Sequence, residues 1–238
     1  MSVISLLYKR EYPINSKIHI VIPTVGEIVE AEEDYYGMVH MLTSMPIDMM
    51  VELDNIGIDF TDINEYELFL LLFPSLREMD TSLIFGDLDL TKFELMERED
   101  NKTIALIDRE NDIVIDRAIV SQIALVLRKL HHFEKDNRRP ANDDAKKYML
   151  ERARAKAKRN RNRTRDSQLE PLIIAMVNTE QYHYGFEETK NLTIYQFNES
   201  VRQVIKKVDY SNKMHGVYSG TVNVKDLSQD DLNWLIHK

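Results

Sequence analysis

Charge along this chain falls into two opposed blocks, and that division limits what each block can build. Between residues 27 and 116 there are 24 Asp and Glu against five Lys and Arg, a local balance of −19. Between residues 128 and 165 there are 15 Lys and Arg against five Asp and Glu, a local balance of +10. The basic block carries few apolar side chains, chiefly Tyr148, Met149 and Leu150. A segment with so little to bury holds no core of its own and reads as an arm between two regions that can. The chain therefore divides into an N-terminal α+β domain over residues 1–135, a basic helical arm or linker over 136–167 and a C-terminal helical region over 168–238.

Both flanking parts have material for a core. Hydrophobic residues make up 43% of the 238, with 11 Tyr and eight Phe, which argues against wholesale disorder. Seven Gly and six Pro are few for this length and favour helix over a turn-rich β architecture. The expected fold class is mainly α (α+β): helical domains with a small antiparallel β-meander and a long basic helical arm. The net charge of −9 opposes nonspecific DNA binding by the molecule as a whole but says little about a local patch. With no Cys, disulfides, thiolate zinc sites and cysteine nucleophiles are excluded. The first twelve residues have a short apolar run followed, not preceded, by basic residues, so they read as neither signal peptide nor membrane span. The expected location is the cytoplasm.

Periodicity places the elements. Residues 17–22 read as a strand closed by Pro23, and Thr24 with Glu27 makes a capping box before a helix that reaches Pro46. A helix is expected over 47–55, ended by Gly57. Asp62 and Glu65 then signal the start of the apolar segment 66–73, with Pro74 as its stop. From residue 83 to 115 the period alternates, and Phe93/Leu95, Ile104/Leu106 and Ile113/Ile115 predict a three-stranded meander. Helix returns over 118–130, with Ile119, Ile123, Val126, Leu127 and Leu130 on one face. Asn142, Asp143 and Asp144 begin the arm helix, while Asn160 and Asn162 predict fraying towards Arg165. Beyond it, Leu169 to Val177 form one apolar stripe, and Thr193 opens a longer helix through Val208. Residues 217–224 suggest a small hairpin around Gly220, and Ser228 with Asp231 the cap of a last helix carrying Trp234.

The arm is the sharpest chemical feature. Lys146, Lys147, Arg152, Arg154, Lys156, Lys158, Arg159, Arg161, Arg163 and Arg165 form the candidate binding surface. Such density suits phosphates, whose neutralisation releases counterions. The run nevertheless lacks interleaved aromatics for base stacking, and no nucleic-acid-binding motif accompanies it. The acidic first half offers the arm a protein partner, in the same chain or a neighbouring subunit. No metal or cofactor is expected: His131 and His132 are adjacent and point apart on a helix, and His183 lies four residues before Glu187 without the H-E-x-x-H pattern. A metal-assisted hydrolase built on the carboxylates and His131 or His132 is the weakest reading. Asp87, Asp89 and the acids between Asp108 and Asp116 are too numerous for a chance pair to signal catalysis. Nucleotide-binding and nucleophile-elbow signatures are missing, since Ser219 stands one position too late between Gly216 and Gly220. Met38, Met41, Met45, Met49 and Met50 fit core positions, or an adaptable surface for an apolar client.

Several stretches also carry a resemblance when taken together. Residues 18–28 (IHIVIPTVGEI), 43–48 (TSMPID) and 66–73 (YELFLLLF) are followed by 192–197 (LTIYQF), 218–220 (YSG) and Trp234. The set resembles tail assembly chaperones and related tail-module proteins of tailed phages infecting Gram-positive bacteria. That resemblance implies a helical, non-enzymatic protein that escorts the tape-measure protein while the tail tube polymerises. Its implied partners are tail proteins or further copies of itself, in an infected cell or in the virion. The arm over 138–165 is longer and more charged than the resemblance implies, which keeps nucleic-acid binding as the alternative.

Overall fold

Helix starts in this chain are written locally, and the computed structural model, which describes residues 5–98, 102–160 and 167–235, shows how they are honoured. Strand β1 (Glu11–Pro13) pairs antiparallel with β2 (His19–Val21), with Tyr12 opposite Ile20. Helix α1 (Val25–Glu30) follows, and Thr24 forms the expected box: Glu27 N–H donates to its hydroxyl at 3.2 Å while Thr24 N–H donates to the Glu27 carboxylate at 2.6 Å. The helical run then breaks at Ala31, whose φ of −140° leaves the helical region, before α2 (Glu32–Thr43). A 3₁₀ turn (Pro46–Met49) leads into α3 (Met50–Asn55), and Gly57 closes it at φ 78°.

Helix α4 (Glu65–Leu76) is capped by Asn64, one residue before the expected start signal Glu65, with Glu67 completing the box. Pro74 lies inside α4 and does not stop it. Its missing N–H costs one helical bond, the one to the Leu70 carbonyl, and the burial of Phe73 and Leu76 in the core offsets that loss. The stretch from residue 83 begins in helix α5 (Ser82–Phe85), not in strand, and a 3₁₀ turn (Leu90–Lys92) precedes the sheet. The meander itself is present as β3 (Glu94–Glu97), β4 (Ile104–Asp108) and β5 (Ile113–Ile115), antiparallel throughout in the order β3-β4-β5. At the β4–β5 turn the Asp108 carboxylate accepts from the backbone N–H groups of Glu110 and Asn111 and from the Asn111 amide. Those bonds, led by Asn111, hold Asp108 below the usual carboxylate range, in a turn-forming role.

Helix α6 (Arg117–His131) runs through the centre, packing on α2, α4 and β5. Asp116 caps it, and Val120, Ile123, Ala124, Leu127 and Leu130 are buried along one face. The arm helix α7 (Asp143–Asn160) comes next, then α8 (Leu169–Val177), α9 (Phe186–Asn191) and α10 (Ile194–Tyr218). Fraying towards Arg165 concerns residues outside those described. The main core draws on both sides of α7: Leu169, Met176, Tyr182, Ile194, Tyr195 and Phe197 are buried with the residues of α1, α2 and α6. A carboxylate makes a similar link, because Glu32 of α2 accepts the N–H groups of Gln168 and Leu169 at the start of α8. α10 packs on α6 through its first turns and extends beyond the core.

Two expectations near the C-terminus are overturned. Residues 217–224 form no hairpin: α10 continues to Tyr218, and the Gly216 carbonyl accepts the N–H groups of Thr221 and Val222, folding the chain back over the helix end. Val222 packs so close to Gly216 that a Cβ there would lie 2.6 Å from a Val222 methyl. Ser228 and Asp231 do exchange capping bonds, but they close a turn, and Trp234 lies outside any helix among the described residues. Lys206 and Lys213 of α10 bind Asp230 and Asp231 and tie this segment to α10 instead.

Candidate binding surface on the basic arm

α7 forms because nearly every residue in it favours helix, with Asn142 accepting the Ala145 N–H at 2.8 Å and Asp143 and Asp144 in the first turn. None of its eighteen residues is buried. Ala145, Lys146, Met149, Leu150 and Ala153, spaced at one helical face, are partly covered, and residues 154–160 are all exposed.

The covered face rests on the acidic half of the same chain. Lys146 is ion-paired with Asp59 and Arg154 with Asp54. Asp59 also accepts the backbone N–H and hydroxyl of Thr61, at 2.9 and 2.7 Å. The Lys146 bond first, then those from Thr61, hold the Asp59 carboxyl down at about 2, and the same contact raises Lys146. Between the two ion pairs Met149 packs on a satellite core of Ile47, Leu53, Phe60 and Leu68. Met45, Met49 and Met50 line that satellite, whereas Met38 and Met41 belong to the main core.

The outward face is different. Lys147, Lys156, Lys158 and Arg159 are exposed and have no carboxylate partner among the described residues. Arg152 lies over the exposed ring of Tyr148, 5.8 Å from its centroid. Arg161, Arg163 and Arg165 lie outside the described residues. At the root of the arm a cleft of about 640 Å³ opens between Ile47, Phe60, Tyr66, Arg117, Arg139 and Lys146. Beside it Glu65 binds Arg128 at 2.7 Å and Lys135 at 2.5 Å; burial opposes its ionisation, and these two cations outweigh that and keep it charged.

The histidines are placed apart. His131 is buried and hydrogen-bonded to Tyr35, and burial, with His132 adding to it, depresses its pKa to about 4. His132 ends α6 in the left-handed conformation at φ 55°, beside Glu199 and Arg202 of α10. His183 is exposed. Among the described residues no three His, Asp or Glu side chains are grouped as a metal site. Nor is any described helix long and apolar enough to cross a membrane. Asp54 and Asp59 were missed in the sequence: the charge blocks announce that the arm has an acidic counterpart, but no spacing singles out these two.

Taken together, the geometry defines a mainly helical α+β protein whose chemistry is concentrated in a charged helix docked on an acidic surface. Residues 158–237, from the end of α7 to beyond α10, match the model of the YomV second domain, a phage-derived family. No curated protein and no solved structure matches the chain.

Proposed function

We propose that this chain is a phage protein that works without catalysis, through protein–protein contacts, as an assembly chaperone or accessory factor of the phage tail. The observation that carries the reading is the seating of α7. Lys146 and Arg154 of the most basic segment engage Asp59 and Asp54, so this arm's chemistry already recognises a protein surface. The match of the C-terminal third to a phage-derived domain supports the phage context. The tail role rests on the resemblance of the capped and apolar motifs, and the implied partners are tape-measure or tube proteins or further copies of the chain.

The outward face favours a second reading. Cations without carboxylate partners among the described residues, beside an exposed Tyr148, suit the phosphates and bases of nucleic acid. Co-purification from phage-infected cells, with and without nuclease and across salt, separates the two. A tail protein retained after nuclease treatment supports the assembly role. Nucleic acid as the sole companion, lost steeply as salt rises, overturns it in favour of the second reading.

A further inference from the structure

α7 behaves as a ligand of the body it rests on. No α7 residue belongs to the main core, and none is buried. It touches the body through two ion pairs at part-exposed carboxylates and through Met149 between them. A helix of Ala, Lys, Arg, Met and Leu retains much of its helical preference when undocked. It is therefore a detachable element, and what it covers is specific. Asp54 at the end of α3 and Asp59 in the following loop mark two ends of a groove whose floor is the satellite core of Leu53 and Phe60, bordered by Met49 and Met50. Flexible thioethers over an apolar floor accommodate apolar side chains of varied shape.

We propose that this groove is the docking site for a basic amphipathic helix of a partner protein, and that α7 occupies it until the partner displaces it. The occupant's chemistry follows from what is seated there now. It carries two cations eight positions apart, matching Lys146 and Arg154, with a Met or Leu midway between them on the same face. An acidic or wholly apolar helix does not fit, because Asp54 and Asp59 would lose their counterions. Displacement also frees α7, so partner binding releases Lys146 and Arg154 to join the cations of the arm that are already exposed. The proposal rests on the protein–protein reading above and gives that reading a partner class.

The test uses the full chain and, as probe, a dye-labelled peptide of residues 143–160. In the K146E/R154E chain, hydrogen exchange over 143–160 rises as the arm is released, while the thermal melt of the rest is kept. That chain binds the peptide at least tenfold more tightly than the unaltered chain, whose groove is filled. Adding D54N/D59N to it abolishes binding, and so does placing K146E and R154E in the peptide. Equal affinity of the peptide for both chains, absence of binding to the released chain, or unchanged exchange over 143–160 each overturns the proposal. The peptide result and the co-purification are independent: failure of the first removes the groove, and failure of the second removes the assembly role.

Discussion

Thr24 and Thr193 face each other across an antiparallel bridge, and each caps a helix. Val25 N–H donates to the Leu192 carbonyl at 2.9 Å and Ile194 N–H to the Pro23 carbonyl at 2.8 Å, so the starts of α1 and α10 are laced together by backbone bonds. Both caps are complete boxes, closed by Glu27 and Gln196. The bridge turns two local signals into one tertiary contact between the N-terminal part and the C-terminal region.

Loss of the Thr193 hydroxyl strips the cap from α10 at this bridge. Thr193→Ala is expected to lower stability by about 1 kcal/mol, the ordinary worth of an N-cap. Urea denaturation followed by circular dichroism measures it. Thr193→Ser, which keeps the oxygen, should recover most of the loss.

His131 gives a pH dependence whose sign is fixed by its burial. It is held neutral in the folded protein, with its pKa depressed from 6.5 to about 4, and an unfolded imidazole protonates more readily. Its contribution is complete above the unfolded pKa and is lost as pH falls from 6.5 towards 4. The expected loss is about 2 kcal/mol at pH 5 and approaches roughly 3 kcal/mol below pH 4. Denaturant midpoints at pH 7 and pH 5 should differ accordingly in the unaltered chain. In His131→Phe the part of that difference due to this ring should vanish; an unchanged difference would mean that His131 is not its source.

Phe197 is fully buried where α10 meets α6 and forms an edge-to-face pair with Tyr182, with ring centroids 6.4 Å apart. Phe197→Ala is expected to cost about 3–5 kcal/mol through lost burial and the cavity left behind. Because one core spans both sides of α7, the whole chain should shift together in a thermal melt. A separate early transition, with the rest unmoved, would contradict the shared core.

Gly26 lets α1 approach α9 closely. A Cβ at this position would meet Lys190 Cγ at 2.6 Å and the Lys190 carbonyl oxygen at 3.2 Å. The lysine stem can move, but the backbone oxygen cannot, so Gly26→Val should destabilise by about 2 kcal/mol from overpacking. Differential scanning calorimetry reports it, and a melting temperature at or above that of the unaltered chain would refute the close packing.

Much of this architecture is legible before any coordinates. The box Thr24–Glu27, the helix start at Thr193, the alternation at Phe93–Leu95 and Ile113–Ile115, the apolar stripe of α6 and the helical nature of the arm all depend on residues within about four positions of one another, where backbone geometry dictates which side chains meet. The two charge blocks likewise announce an arm that has no core of its own. The remainder depends on the path of the chain. Pro74 is tolerated because its neighbours are buried, and residues 217–224 fold over α10 because Val222 finds Gly216. Lys146 and Asp59 lie 87 positions apart, and Arg154 and Asp54 lie 100 apart. Long-range ion pairs have no periodicity to betray them, since a charge has no directional preference and any of the 24 acids in the first block satisfies it equally well until packing brings one within reach. Composition thus made the arm basic and helical, and the packing of α3 and Phe60 settled where it lies.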